Sequence, residues 1–192
     1  MIVESVELKD YRNYEFLDMN FNEHVNIIYG DNAQGKTNIL ESIYMCSTSK
    51  SHRGSKDREI VRFGEDESHI KLNVLKHGMK YRIDMHLKKN KTKGIAVNGI
   101  PIKKAVELFG IINIVFFSPE DLNIIKNGPS ERRRFMDMEL SQLDKIYLSN
   151  LVTTSTPTPR NTSSSGSATD ANGSTVMIPA AMVDMILLTI RL

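Results

Sequence analysis

The sequence is poor in cysteine and contains no tryptophan. Its one cysteine, Cys46, excludes an intramolecular disulfide and fits a reducing compartment, so we expect a cytoplasmic protein. The five histidines are scattered, and none stands at ligand spacing along the chain from Cys46 or from a carboxylate. The sequence therefore predicts no zinc site, and it predicts that Cys46 belongs to the core.

Long apolar runs are also missing. No stretch of about 18 apolar residues is present, so we expect no membrane span. The nearest approach, residues 176–192, is interrupted by Pro179, Asp184 and Arg191. The N-terminus has neither the basic leader nor the apolar core of a secretory signal. The net charge of +2 neither requires nor excludes a nucleic-acid partner.

Lysine is absent after Leu151, and residues 152–174 contain no leucine, isoleucine, phenylalanine or tyrosine. Serine and threonine make up about half of residues 152–174, a composition that cannot bury enough apolar surface to offset the entropy of ordering. We therefore divide the chain into residues 1–151, a folded head, and residues 152–192, a disordered tail that is not part of the head's fold. A frameshift or a truncated gene copy would produce such a break, which sequencing of the source gene would test.

Apolar periodicity predicts the main elements of the head. Strands are predicted over residues 2–8, 14–21, 25–29, 68–75, 81–87 and 111–117. Helices are predicted from Lys36 to Cys46 and from about Pro129 to Leu148. Turn signals stand at His77-Gly78 and Asn98-Gly99, and the lysines between residues 88 and 93 indicate a solvated loop. The pattern favours an α/β fold with a central sheet, flanking helices and an antiparallel β region.

The strongest chemical signal is a Gly-x-x-x-x-Gly-Lys-Thr motif between an apolar segment and a helix. Its residues are Gly30, Asp31, Asn32, Ala33, Gln34, Gly35, Lys36 and Thr37. In such a P-loop the glycines let backbone N–H groups converge on a β-phosphate, and the lysine reaches the β- and γ-phosphates. The threonine hydroxyl faces Mg²⁺, so the motif predicts binding of ATP with Mg²⁺. The motif does not identify the reaction, because many kinds of ATPase and kinase share it.

Four sequence blocks, including the P-loop, resemble the RecF family of bacterial DNA replication and repair proteins. They are residues 8–21 (LKDYRNY, then Leu17 and Phe21), 26–41 (NIIYGDNAQGKTNILE), 51–59 (SHR and KDRE) and 117–137 (FSPEDL and GPSERRRFMD). The resemblance covers about four fifths of the chain. It implies an ATPase head of the ABC and SMC-like type that acts in the cytoplasm in DNA repair and recombination. It also implies binding to single-stranded or gapped DNA, an ATP-dependent homodimer and cooperation with other recombination mediators.

The chain departs from the family where the resemblance stops, near Leu151. A RecF-like protein is about twice as long as the match, and its second half carries the signature motif and the acid of Walker B. Glu120 and Asp121 follow an apolar run, but the resemblance places them in a loop near the γ-phosphate. Asp184 stands on the wrong side of its apolar run, and the serine-rich residues 163–167 lack a following helix. No catalytic residue is therefore assigned, and whether the chain is an enzyme stays open.

Several basic residues outside the P-loop are candidates for contact with DNA or nucleotide phosphate. They are Arg12 in a turn, and His52, Arg53 and Lys56 after the P-loop helix. The alternative for each is a solvated surface residue. The lysines Lys88, Lys89, Lys91 and Lys93 carry the same two interpretations. The run Arg132, Arg133 and Arg134 stands early in a predicted helix, where the dipole disfavours cations, so it indicates a bound anion or an acidic partner, unless Glu131, Asp137 and Glu139 compensate its charge.

The sequence thus favours an ATP-dependent DNA-binding protein of RecF type. Two other functions are consistent with parts of the sequence. A small-molecule kinase with a P-loop would need a lid carrying arginines and an acceptor site. A truncated fragment could bind ATP without any activity.

Overall fold

The computed structural model describes residues 1–117, 128–155 and 186–187. Several sequence predictions lie outside the described residues. They concern the acids Glu120, Asp121 and Asp184, the serine-rich residues 163–167 and the disorder of the tail after residue 155. In the part of the chain that is described, no helix is long and apolar enough to cross a membrane.

Six antiparallel strands form the main sheet, in the order β2-β1-β3-β4-β5-β6. They are β1 (Ile2–Tyr11), β2 (Tyr14–Asn20), β3 (Glu67–Lys76), β4 (Met79–Lys88), β5 (Lys91–Val97) and β6 (Ile100–Pro101). A separate two-residue pairing joins β7 (Ile114–Val115) in parallel to β8 (Ile186–Leu187). The strands predicted near residues 2–8, 14–21, 68–75 and 81–87 are confirmed.

Two tight hairpins set the register of the sheet. His77 and Gly78 have φ angles of 50° and 76°, and Asn98 and Gly99 have 51° and 80°. Two central residues with positive φ are typical of a type I′ turn, whose twist matches that of the strands it joins. Both predicted turns are therefore confirmed. The first one aligns β3 and β4 without interruption from Lys76↔Met79 to Glu67↔Lys88.

The described residues also form the helices α1 (Lys36–Thr48), α2 (Asp57–Ile60), α3 (Pro129–Leu143) and α4 (Lys145–Ser155), with a 3₁₀ turn at Ala105–Leu108. The single helix predicted from Pro129 to Leu148 was wrong, because the chain forms two helices that meet at Asp144. The backbone of Asp144 is extended, and its Oδ1 accepts a hydrogen bond from the N–H of Ile146 at 2.7 Å. Asp144 therefore caps α4, as aspartate commonly does.

The core lies between α1 and one face of the sheet. Alternate residues of β3 and β4 are buried on this face, among them Leu72 and Ile83. The helix contributes Ile39, Ile43 and Cys46, each at most 3% exposed. Cys46 is thus a core residue, as predicted, and burial raises the pKa of its thiol.

The strand predicted over residues 25–29 was wrong. This segment has no regular structure, and its alternate side chains Val25, Ile27 and Tyr29 are 75–87% exposed. A strand needs a neighbour that takes up its backbone hydrogen bonds. Within the described ranges no strand pairs with this segment. The apolar pattern therefore had no partner with which to form a strand.

Two further predictions need correction. Of the strand predicted over residues 111–117, Ile114–Val115 forms a strand and Ile112 forms an isolated bridge with Phe109. The loop predicted between Lys88 and Lys93 is a two-residue turn, because β5 already begins at Lys91. Lys93 is not solvated, since its ammonium group donates to the carbonyl of Ser49 and lies 2.9 Å from a carboxylate oxygen of Asp57.

Candidate functional site

A cavity of about 230 Å³ lies at the N-terminal end of α1. Its lining consists of Asn32, Ala33, Gly35, Lys36, Thr37, Asn38 and Arg53. Five of these seven residues belong to the Gly-x-x-x-x-Gly-Lys-Thr motif. The fold therefore gathers most of the predicted P-loop around one space. The volume is below the usual range for a whole drug-sized ligand, and it suits part of one, such as a phosphate chain.

The backbone of the motif curls through unusual conformations. Gly30 and Gly35 have φ angles of 148° and 96°, which side-chain-bearing residues rarely adopt, and Ala33 has 64°. Gly35 is the N-cap of α1 and offers no side-chain cap, and the first turn contains no acidic residue. The first N–H groups of a helix have no acceptor within the helix. The protein thus leaves the positive end of α1 uncompensated, which favours a bound anion.

Lys36 folds back over the loop. Its Nζ donates to the carbonyl oxygens of Gly30 at 2.9 Å and Asp31 at 2.6 Å. These neutral acceptors hold the ammonium group at the cavity without cancelling its charge. A phosphate oxygen would offer a stronger, charge-assisted hydrogen bond in the same place.

The turn between β1 and β2 supports the motif from the side. The Nδ2 of Asn13 and the hydroxyl of Tyr14 both donate to the carbonyl of Gln34, at 3.1 and 3.2 Å. Asn38, in the first turn of α1, donates to the Oδ1 of Asn13 at 2.8 Å. A Cβ added to Gly35 would lie 2.6 Å from that same Oδ1. The loop and this turn are therefore closely fitted to each other.

Arg53 is the one basic candidate outside the motif that lines the cavity. It is exposed, and its guanidinium donates to the Oδ1 of Asn38 at 3.2 Å. Arg12, His52 and Lys56 do not line this cavity in the described structure. The aromatic ring of His52 packs against Phe116 and Tyr44, with centroids 4.2 and 5.8 Å apart.

Lys56 lies at the start of α2, where its backbone N–H donates to a carboxylate oxygen of Glu59 at 3.1 Å. Its side chain is exposed. No contact of Arg12, His52, Arg53 or Lys56 with a phosphate is tested by this structure, so their roles stay predictions.

Arg12 is held in a buried network, and the alternative of a solvated turn residue was wrong. Its side chain is 17% exposed, and its Nε and Nη2 donate to both carboxylate oxygens of Glu41 at 2.9 and 2.7 Å. The same guanidinium donates to the hydroxyl of Ser55 and to the carbonyl of Glu59, at 2.8 and 3.1 Å. In this arrangement the donors of Arg12 point to protein acceptors.

Glu41 is a fully buried carboxylate of α1. Burial alone would raise its pKa, but hydrogen bonds from Arg12 and Ser51 outweigh burial and lower the pKa below its usual value. The hydroxyl of Tyr11 lies 3.3 Å from its Oε2. Glu41 is therefore an anion that ties α1 to the β1–β2 turn and to the segment after α1.

Sequence reasoning missed the supporting residues Asn13, Asn38 and Glu41, because their roles depend on contacts between distant segments. It also missed a group formed by Glu67, His69 and His86, whose ligand atoms all lie within 4.8 Å of one another. The sequence did contain a signal that could have identified this group. A two-residue turn at His77-Gly78 places His69 directly opposite His86, and Glu67 on the same face.

The chain matches known proteins over most of its length. Residues 5–162 match the AAA domain family. The chain is 99% identical over 152 residues to the DNA replication and repair protein RecF of Lachnospira eligens, a match that covers 79% of this chain and 42% of that relative. The RecF protein of Agathobacter rectalis is 70% identical over 151 residues, with the same two coverages.

Solved structures agree in fold. A structure described as the recombination mediator protein RecF-ATP in the RecFOR pathway superposes with a TM-score of 0.75 at 39% identity, covering 79% of this chain and 42% of that one. A structure from work on ATP-driven dimerization and DNA stimulated activation of SMC ATPases gives 0.57 at 20% identity, covering 72% of this chain and 99% of that one. The second match shows the fold alone, and it confirms the predicted SMC-like head. The chain spans about 42% of the length of the RecF proteins that it matches.

Proposed function

The chain belongs to the AAA domain family and, over 79% of its length, to the RecF family of DNA replication and repair proteins, and from this premise we propose that it is the ATP-binding part of an ATP-dependent DNA-binding protein. A solved structure of a relative is described as RecF-ATP, which supports ATP as the nucleotide.

The single observation that carries the proposal is the uncapped N-terminus of α1 beside the Lys36 ammonium group. Both features are positive, and both border the same cavity. A triphosphate would receive hydrogen bonds from the loop N–H groups while Lys36 exchanges its carbonyl acceptors for phosphate oxygens. Arg53 lies at the rim with donors that could reach the phosphate farthest from the loop.

Mg²⁺ fits the donor set of the cavity. Thr37, in the first turn of α1, lines it with a hydroxyl group, which is the hard oxygen ligand that Mg²⁺ prefers. When bound with the nucleotide, Mg²⁺ neutralises phosphate charge. Thr37 would orient that ion beside Lys36, and Asn38 holds the loop in place through Asn13.

We propose that this chain alone binds ATP without turning it over. Among the residues that the structure describes, none of the seven that line the cavity carries a carboxylate, and Glu120 and Asp121 lie outside the described ranges. Hydrolysis in P-loop proteins needs an acid to hold the metal and a group to position water. The RecF relatives extend far beyond the matched part, so such groups could lie in their additional length.

DNA is the proposed macromolecular partner, in single-stranded or gapped form with a junction of single and double strands. The support is the RecF relationship, together with the exposed cations Lys91, Arg132, Arg133 and Arg134. The same relationship supports an ATP-dependent homodimer, a place among other recombination mediators and a cytoplasmic location. Residues 1–151 would form the head, and residues 152–192 would lie outside the family fold, with α4 crossing this boundary to Ser155 and the AAA domain match crossing it to residue 162.

The test is to measure DNA binding and phosphate release together for the purified chain. The proposal predicts that single-stranded or gapped DNA binds more tightly with ATP than without, and that binding weakens steeply with salt. Phosphate release should stay at the background rate. Transfer of phosphate to a small acceptor would favour the kinase alternative. DNA binding whose affinity is the same with and without ATP would favour the inactive fragment.

A further inference from the structure

We propose that Glu67, His69 and His86 form a binding site for a divalent transition-metal ion of the Zn²⁺ class, on the face of the main sheet opposite α1. The three ligand atoms lie within 4.8 Å of one another, on two neighbouring strands. This site is independent of the P-loop and of the proposed nucleotide function.

The backbone fixes which side chains meet. Residues 67 and 69 are two apart on β3, so both project from the same face of the sheet. His69 pairs directly with His86 of β4, and Glu67 pairs with Lys88. Directly opposite residues have Cβ atoms only about 4.5–5.5 Å apart. The hairpin therefore brings the two imidazoles and the carboxylate together without any loop having to order.

The side chains are already in contact. The rings of His69 and His86 are stacked, with centroids 3.9 Å apart and planes 23° from parallel. The Nε2 of His86 lies 2.7 Å from the Oε2 of Glu67. Ligand atoms bound to one zinc ion at about 2.0–2.2 Å in tetrahedral geometry stand roughly 3.3–3.6 Å apart. Because an imidazole nitrogen binds a metal through a lone pair in its ring plane, metal binding would turn the two rings out of their stacked arrangement.

The donor set selects the class of metal. Two imidazole nitrogens and one carboxylate oxygen suit Zn²⁺ and its neighbours, whereas Mg²⁺ prefers oxygen ligands throughout. Both histidines border a surface cavity of about 500 Å³, so a metal ion and a water molecule as fourth ligand have access. Lys88 competes for the carboxylate, because its Nζ lies 2.8 Å from the Oε1 of Glu67.

The test is a competition titration of Zn²⁺ against a coloured chelator, using the nucleotide-free chain. We expect one Zn²⁺ per chain in the wild type. His69→Gln, His86→Gln and Glu67→Gln should each weaken binding by at least about tenfold, since each removes a ligand. Lys88→Gln should tighten it about two- to fivefold, since it removes an exposed ion pair. Zn²⁺ should also raise the melting temperature of the wild type but not of His86→Gln.

His24→Gln is the matched control. His24 is an exposed histidine with a glutamate, Glu23, 3.4 Å away, but among the described residues it belongs to no group of three possible metal ligands. Its loss should leave Zn²⁺ binding unchanged, which supports the site. The proposal is overturned if the wild type binds no Zn²⁺, if His24→Gln weakens binding as much as His86→Gln, or if Glu67→Gln binds like the wild type.

Discussion

Glu41 connects three segments of the chain through one buried carboxylate. It accepts hydrogen bonds from Arg12 of the β1–β2 turn and from Ser51, and the hydroxyl of Tyr11 lies beside it. The same turn supports the P-loop through Asn13 and the carbonyl of Gln34. The position of residues 30–37 therefore depends on the ion pair between Arg12 and Glu41, and neither of these two residues lines the cavity at the N-terminal end of α1.

Removing Arg12 should destabilise the protein strongly. In Arg12→Ala the carboxylate of Glu41 stays buried without its cation, a change that typically costs about 3–5 kcal/mol of unfolding free energy. Urea unfolding measures this cost. Arg62→Ala is the control, because Arg62 is more exposed than Arg12 and forms longer contacts with Glu15 and Asp10, at 3.3 and 3.7 Å, and an exposed ion pair contributes about 1 kcal/mol or less. Equal losses for the two variants would contradict the buried network.

The lowered pKa of Glu41 has a consequence for stability in acid. A carboxyl whose pKa is lower in the folded than in the unfolded state stabilises the fold above the unfolded pKa, and this contribution is lost as the pH falls through the folded pKa. In urea unfolding, the wild type should therefore be more stable than Glu41→Gln at neutral pH. The difference should shrink below about pH 5. A difference that does not depend on pH would contradict the assignment.

Helix α1 carries the end of the Gly-x-x-x-x-Gly-Lys-Thr motif, and its first residues line the candidate site. It was predictable because a glycine-flanked motif precedes a clear apolar face, and both signals are local. Residues 25–29 show the opposite case, because their apolar alternation predicts a strand that has no pairing partner in the described part of the chain. Strand formation depends on a second segment, so pattern alone could not decide it.

Gly35 should be far less tolerant of substitution than a glycine of similar backbone geometry. Gly35→Ala forces a Cβ into a φ of 96° and to within 2.6 Å of Asn13. Gly64→Ala is the control, since its φ is 92° but nothing lies within 4 Å. We expect the control to lose about 1–2 kcal/mol from backbone strain. Gly35→Ala should lose a further ~1–3 kcal/mol from overpacking and should bind nucleotide more weakly. Thermal and urea unfolding of both variants check this.

The hairpin turns made much of the sheet predictable, but they did not make the contacts between side chains of different segments predictable. The turn residues His77-Gly78 and Asn98-Gly99 specify register locally, and the structure confirms both. The meeting of Glu67 with His86 follows only after that register is applied across two strands. The network of Arg12 and Glu41 spans 29 positions and has no local signature.

At the scale of the whole molecule, the chain carries the nucleotide loop of a much longer relative. It matches about 42% of the RecF proteins, and within residues 1–117, 128–155 and 186–187 no carboxylate lines the cavity at the N-terminal end of α1. We therefore propose that this chain binds the nucleotide without hydrolysing it.

The most direct measurement is equilibrium binding of a fluorescent ATP analogue with Mg²⁺ to three proteins: the wild type, Lys36→Ala and Lys103→Ala. Lys103 is an exposed lysine that does not line the cavity. Loss of a charged hydrogen bond costs about 1.5–3 kcal/mol, so Lys36→Ala should bind about 10- to 150-fold more weakly. The Lys103→Ala control should bind like the wild type. Binding by Lys36→Ala as tight as that of the wild type would contradict the account.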